Sequence, residues 1–207
     1  MFIQVMQGRV RDRTGVQAEL EHWDGDLGAG APGWRGLTGG VTDDGELVVI
    51  LRFDGAGAAV DNDTRPATAV WRTAVERHLA GPARLQRCPI VREIKGGGSD
   101  EAGFVRVLQG RVIDARRLAA LQDDVERGLA EEAHVLGVTV ADHDRGGWFT
   151  EVTYFTSERA VRAAERAMPV AKAVQLGMVR SYMEGLRLYE LRAPCLASPR
   201  PQAVPAG

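Results

Sequence analysis

The sequence predicts an α+β fold made of two tandem copies of one βαββαβ unit, and three observations lead there. Residues Phe2 to Val10 read FIQVMQGRV and Phe104 to Val112 read FVRVLQGRV, with six of nine positions identical and two more exchanging one apolar residue for another. The 102-residue offset then persists through Val16 and Leu118, Trp23 and Val125, Leu27 and Leu129, and Phe53 and Phe155, and becomes 103 at Pro66 and Pro169. Self-similarity held over most of two halves is the mark of duplication. Finally, each half passes through the same order of strand-like and helix-like patterns.

The elements follow in order. A strand over about 2–10 leads into a helix over about 14–28, where Val16, Leu20, Trp23 and Leu27 recur at three- and four-residue steps. Its copy, over about 114–131, carries Leu118, Leu121, Val125 and Leu129, with Asp114 placed to cap its first turn. Two strands joined by turn chemistry come next. Thr42-Asp43-Asp44-Gly45 precedes Leu47 to Leu51, and His143-Asp144-Arg145-Gly146-Gly147 precedes Trp148 to Val152; aspartate and glycine between β-rich runs signal hairpins. Helical regions over about 56–80 and 157–184 each contain a proline, so a break is expected near Arg65-Pro66 and Met168-Pro169. Strands near Arg84 to Glu93 and Leu186 to Leu191 close the halves.

One such unit has helices on one face of its sheet only, which leaves the other face in need of a cover. In Leu47 to Phe53 both faces are largely apolar. A duplicated chain supplies the second sheet itself, so an intramolecular pair packed sheet to sheet is expected. The domains read as 1–94 for the first repeat, 95–103 for a glycine-rich linker, 104–194 for the second repeat and 195–207 for a proline-rich, disordered tail.

Composition narrows the class. The 207 residues carry 26 basic and 28 acidic side chains spread along the chain, a net charge of −2, which gives no electrostatic footprint for nucleic acid. No run approaches the roughly twenty apolar residues of a membrane helix, and no basic, then apolar, leader precedes the first strand. A cytoplasmic protein with reduced Cys88 and Cys195 is expected. The histidines and cysteines show no metal-ligand spacing, and Gly96 to Gly98 fits no phosphate-binding pattern.

On the repeat, the βαββαβ order and the two-faced strands, the chain resembles the dimeric α/β-barrel superfamily, in which two ferredoxin-like units pack sheet to sheet. It is most similar to the antibiotic-biosynthesis-monooxygenase-like and stress-responsive barrel domains, with the usual two subunits fused. That resemblance implies a pocket between a sheet and its helices, and a range of activities: cofactor-independent oxygenation of aromatic polyketides, cyclisation, isomerisation, haem degradation, or none. The expected function is a small-molecule-binding barrel, an oxygenase or cyclase on an apolar aromatic substrate without a cofactor. The alternatives are a non-catalytic stress or scaffold barrel and a haem-binding or haem-degrading protein. The expected partner is a small apolar ligand, with the chain a monomeric pseudo-dimer and further homo-oligomers left open.

Two sets of site residues follow. In the first half, Asn62 and Arg65 are placed at a pocket mouth, with Trp71 binding substrate and His78 as an acid/base, since a seven-residue step puts the last two on one helical face. The competing reading makes Trp71 core and His78 a surface residue at a helix end. In the second half, Val49 is replaced by Glu151 and Arg52 by Tyr154. An unpaired carboxylate among Phe149, Thr153 and Phe155 would have a raised pKa and suit proton transfer, with Tyr154 contributing to binding. Its competitors are an ion pair to Arg106 or Arg111 and simple exposure at a barrel edge. The repeated Gln7-Gly8-Arg9 and Gln109-Gly110-Arg111 read as barrel corners whose side chains pair across the pseudo-twofold axis.

Overall fold

A computed structural model describes residues 1–23, 27–144 and 146–199. In the first half, β1 (Phe2–Arg9) is followed by α1 (Arg13–His22), β2 (Trp34–Val41), β3 (Glu46–Phe53), α2 (Ala56–Asp63), α3 (Pro66–Arg77) and β4 (Arg84–Cys88). After β5 (Ile90–Ile94), the second half repeats the series: β6 (Phe104–Val112), α4 (Ala115–Glu131), β7 (Val135–Asp142), β8 (Trp148–Phe155), α5 (Glu158–Arg166), α6 (Val170–Ser181) and β9 (Met183–Leu191). A short β10 (Cys195–Ala197) completes it.

Local chemistry sets the boundaries. The Asp12 and Asp114 carboxylates accept from the backbone N–H groups of Gly15 and Arg117, capping α1 and α4 in equivalent places. Pro66 occupies the first turn of α3, where its missing N–H costs nothing, so the helical region divides as expected into α2 and α3. The copy divides likewise between Arg166 and Val170.

The strands form two five-stranded antiparallel sheets, ordered β10-β2-β3-β1-β4 and β5-β7-β8-β6-β9. Here the domain boundaries change. The segment expected as one closing strand, 84–93, breaks at Pro89: β4 stays beside β1, while β5 crosses to pair with β7 of the other half. Proline cannot donate to a ladder, so the strand leaves one sheet there and enters the next. Pro194 does the same in the second copy, and Cys195 to Ala197, expected as the start of a tail, pair with Gly39 to Leu37. The remainder of that tail, 200–207, lies outside the described residues. Each half thus lends an edge strand to the other.

Residues 95–103 do not form a loose tether. The Lys95 ammonium donates to the carbonyls of Glu132 and Val135, and Ala102 is buried. Gly97 lies so close to Gly137 that a Cβ on the latter would meet its carbonyl oxygen at 1.8 Å. Glycine at both positions permits this crossing of backbones.

Between the sheets, Ile3, Val5, Val48 and Ile50 meet Val105, Val107, Val152, Tyr154 and Leu191. This buried layer explains why the second face of β3 is apolar as well as the first. The Tyr154 and Thr38 hydroxyls, 2.8 Å apart, tie one sheet to the other. No helix among the described residues is long and apolar enough to cross a membrane.

Candidate functional site

The two helix-covered faces differ sharply. In the first half, Trp23, Trp34 and Trp71 fill the space between helices and sheet, with Leu20, Val16 and Val75 fully buried beside them. The rings of Trp23 and Trp71 lie 4.6 Å apart, and the Trp71 indole N–H donates to the Glu19 carbonyl at 2.7 Å. In the second half the equivalent positions are Val125, Val135 and Val174, from the 102- and 103-residue offsets and the matching strand registers of Trp34 opposite Phe53 and Val135 opposite Phe155. Every indole is replaced by a smaller valine.

The helices have not closed over the lost volume. α1 packs on α3, but α4 and α6 make no comparable contact: α4 lies over β5 and β7, and α6 over β9. Neither helix has a fully buried residue. Val174 and Met178, equivalent to the buried Trp71 and Val75, are 58% and 47% exposed. The face between α4 and α6, above β6 and β8, is therefore more open than its counterpart in the first half. Lys172 of α6 pairs with Glu132 at the end of α4 and bridges it at one end.

Glu151 lies on this face, of the same strand parity as Phe155. Its strand neighbours in register are Leu108 on β6 and Val140 on β7, and the expected partners are engaged elsewhere. Arg106 bonds to Glu165 and Glu190, and Arg111 to Glu184. The one hydrogen bond to Glu151 is donated by the Thr153 hydroxyl at 3.3 Å, and no ion pair reaches it among the described residues. The side chain is enclosed by protein yet keeps some accessible surface. Burial pushes its pKa above the usual carboxylate value, against the Thr153 hydrogen bond and the fields of Arg92 and Arg180.

The other sequence-derived residues do not converge on it. Tyr154 points to the opposite face of β8, into the inter-sheet layer, where burial raises its pKa and it bonds to Thr38. Trp71 is core. The Asn62 carbonyl accepts from Arg65 and Thr68, and Arg65 also donates to the Leu27 carbonyl, so both are tied into the first half's helical layer. His78 caps the end of α3, its Nδ1 2.9 Å from the Asp12 carboxylate that caps α1. That carboxylate's pKa is lowered chiefly by the Gly15 N–H.

These residues do not fit a haem between helices and sheet of the first half: the three indoles occupy that space and His78 is turned toward Asp12. Among the described residues no cluster of histidine, cysteine and carboxylate has metal-site geometry. Cys88 is buried, and burial pushes its thiol up to about 12, which leaves it a poor nucleophile.

The repeated corners also differ from expectation. The ladder shifts register at Gly110, the predicted bulge, whereas the β1 ladder is regular at Gly8. Arg9 and Arg111 pair within their own halves, with Glu46 and Glu184. Of the glutamines, Gln109 reaches across, donating to Gln86 at 3.4 Å. His143, at the turn before β8, is half-buried with Nε2 2.8 Å from the Thr150 hydroxyl, and burial lowers its pKa.

No family model and no curated protein matches the sequence. Solved structures do match the fold. A candidate monooxygenase from Fusobacterium nucleatum subsp. nucleatum is 10% identical, with a TM-score of 0.77 over 95% of this chain and 94% of its own. A second, from Lactobacillus acidophilus, is 12% identical, with a TM-score of 0.73 over 95% of each chain. An anthrone oxidase-like protein is 13% identical, with a TM-score of 0.68 over 99% of this chain and 96% of its own. At such identities the likeness is one of fold, and the fold is the tandem, pseudo-dimeric ferredoxin-like barrel.

Proposed function

We propose that the chain is an apolar-ligand-binding barrel whose second half performs acid/base chemistry on an aromatic substrate, with Glu151 as the proton-transfer group. The observation that carries this reading is a carboxylate without an ion pair, set between Leu108 and Val140 on the open face under α4 and α6. Such a group is costly to keep charged, and a raised pKa brings it nearer the working pH, where proton transfer is most effective. Leu108, Val140, Val174 and Met178 offer apolar contact to a ring system, and Arg180 and Arg92 supply positive potential for a developing oxyanion.

The fold neighbours' monooxygenase and anthrone-oxidase names support a substrate class: a fused aromatic ketone with an acidic CH2. Glu151, as carboxylate, takes a proton from that carbon and leaves a delocalised carbanion. With dioxygen as oxidant, one oxygen atom becomes a new ring carbonyl and the other leaves as water, so that 9-anthrone plus O2 gives anthraquinone plus H2O. Cyclase chemistry shares the first step. The first half, solidly packed, acts as scaffold.

The test is oxygen uptake and quinone formation from 9-anthrone. The wild type is expected to turn over, with a rate that rises with pH through a value above the ordinary glutamate range. Glu151→Gln is expected to lose roughly 10²–10⁴-fold. Equal rates in the two proteins would remove Glu151 from the chemistry.

A further inference from the structure

A second site lies on the other side of the sheets. A cavity of about 750 Å³ opens at one end of the barrel, between β1 and β4 of one sheet and β6 and β9 of the other. That volume is in the range of small-molecule sites. Its character is opposite to that of the open face: it is lined by amides and arginines, with Trp148 at the rim, 41% exposed.

Two observations point to a ligand. Gln7, on the wall of this cavity, is 2% exposed, yet its amide makes no hydrogen bond among the described residues and its Nε2 is buried without an acceptor. A buried donor left unmade costs more than a typical hydrogen bond contributes. Its repeat counterpart Gln109 is satisfied, donating to Thr150 at 3.0 Å and to Gln86. The second observation is charge. Arg84 and Arg187, in register with Gln7 and Gln109, line the same cavity and have no ion pair among the described residues. Asp144 is the one acidic residue of the lining, against Arg84 and Arg187, while Arg87 is engaged by Asp63 on the other face of its strand.

We propose that this end of the barrel binds a small aromatic carboxylate. The guanidinium groups of Arg84 and Arg187 meet the carboxylate, Trp148 takes the ring, and Gln7 donates to an acceptor on the ligand. Arginine suits planar, bidentate recognition of carboxylates. His143, whose pKa burial lowers, completes the lining.

The test uses 2-naphthoate, followed by the side-chain amide signals of Gln7 and Gln109 and by tryptophan fluorescence. Saturable binding is expected, with both amides shifting. Arg187→Gln is expected to weaken it at least tenfold, Gln7→Leu several-fold, and neutral 2-naphthamide to bind at least tenfold more weakly than the acid. Glu151→Gln should leave binding unchanged, which separates this site from the open face. Unchanged thermal midpoints in the variants establish that the fold is intact. The proposal is overturned if 2-naphthoate shifts neither amide at millimolar concentration, if Arg187→Gln and Gln7→Leu both bind as wild type, or if Glu151→Gln abolishes binding.

Discussion

The two helix-covered faces of this molecule began as copies and now do opposite things. In the first half Trp23, Trp34 and Trp71 interlock under α1 and α3. In the second, valine stands at each equivalent position, α4 and α6 stay apart, and an acid takes the place of Val49. A stable half makes a loosened half tolerable, because the two share the inter-sheet layer and exchange edge strands. The stability of the first half offsets the unpaired carboxylate and exposed apolar surface in the second. Where a duplicated protein relaxes its packing is where function is free to develop.

The largest effect that tests this contrast is on stability. Trp71→Ala should cost about 3–5 kcal/mol by denaturant unfolding, as large-to-small changes in close-packed cores do. The equivalent change, Val174→Ala, should cost no more than about 0.5 kcal/mol, as for an exposed site. Similar losses at the two positions would mean the halves are equally packed.

Restoring the lost indole should cover the open face. Val174→Trp is expected to reduce the affinity for an apolar aromatic ligand at least tenfold while leaving the protein as stable as before or more so, since the new ring buries surface that is now exposed. Retained binding would place the ligand elsewhere.

The pH dependence of stability sharpens the role of Glu151. Its folded pKa is raised, so from the ordinary glutamate value up to the folded pKa the native state holds a proton that the unfolded chain has released. Stability contributed by that proton is full below about pH 4 and is lost as pH rises through the folded value. Glu151→Gln removes this decline: the variant should match the wild type in acid and exceed it at neutral pH, measured by denaturant midpoints across the range. The smallest expected effect is at His78. His78→Ala breaks the link to Asp12 and should lower the thermal midpoint slightly without changing turnover.

Much of this architecture could be read from the residues. The repeated FIQVMQGRV and FVRVLQGRV segments, the capping aspartates and the two prolines carry local information, and local information fixed the element order. The crossing at Pro89 and Pro194 could not be read the same way, because the partner of an edge strand is a long-range choice made by the whole barrel. Among the candidate residues, Glu151 stood out because an acid at an apolar position is a local anomaly. Tyr154 sits an odd number of residues from it, and on a strand that places the two on opposite faces, a parity available in the sequence. The seven-residue step from Trp71 to His78 does not bring them together, because the helix ends before the second residue and the indole is drawn into the core. The most telling signal, tryptophan opposite valine three times over, lay in the repeat alignment and needed only the register of β2 and β7 to complete it.

The most direct test of the account is the titration of the Glu151 carboxyl carbon, followed by NMR with and without an apolar aromatic ligand. A midpoint above the glutamate range that shifts when the ligand enters is the predicted result. An ordinary midpoint, indifferent to ligand, would contradict the claim that the second half holds the site.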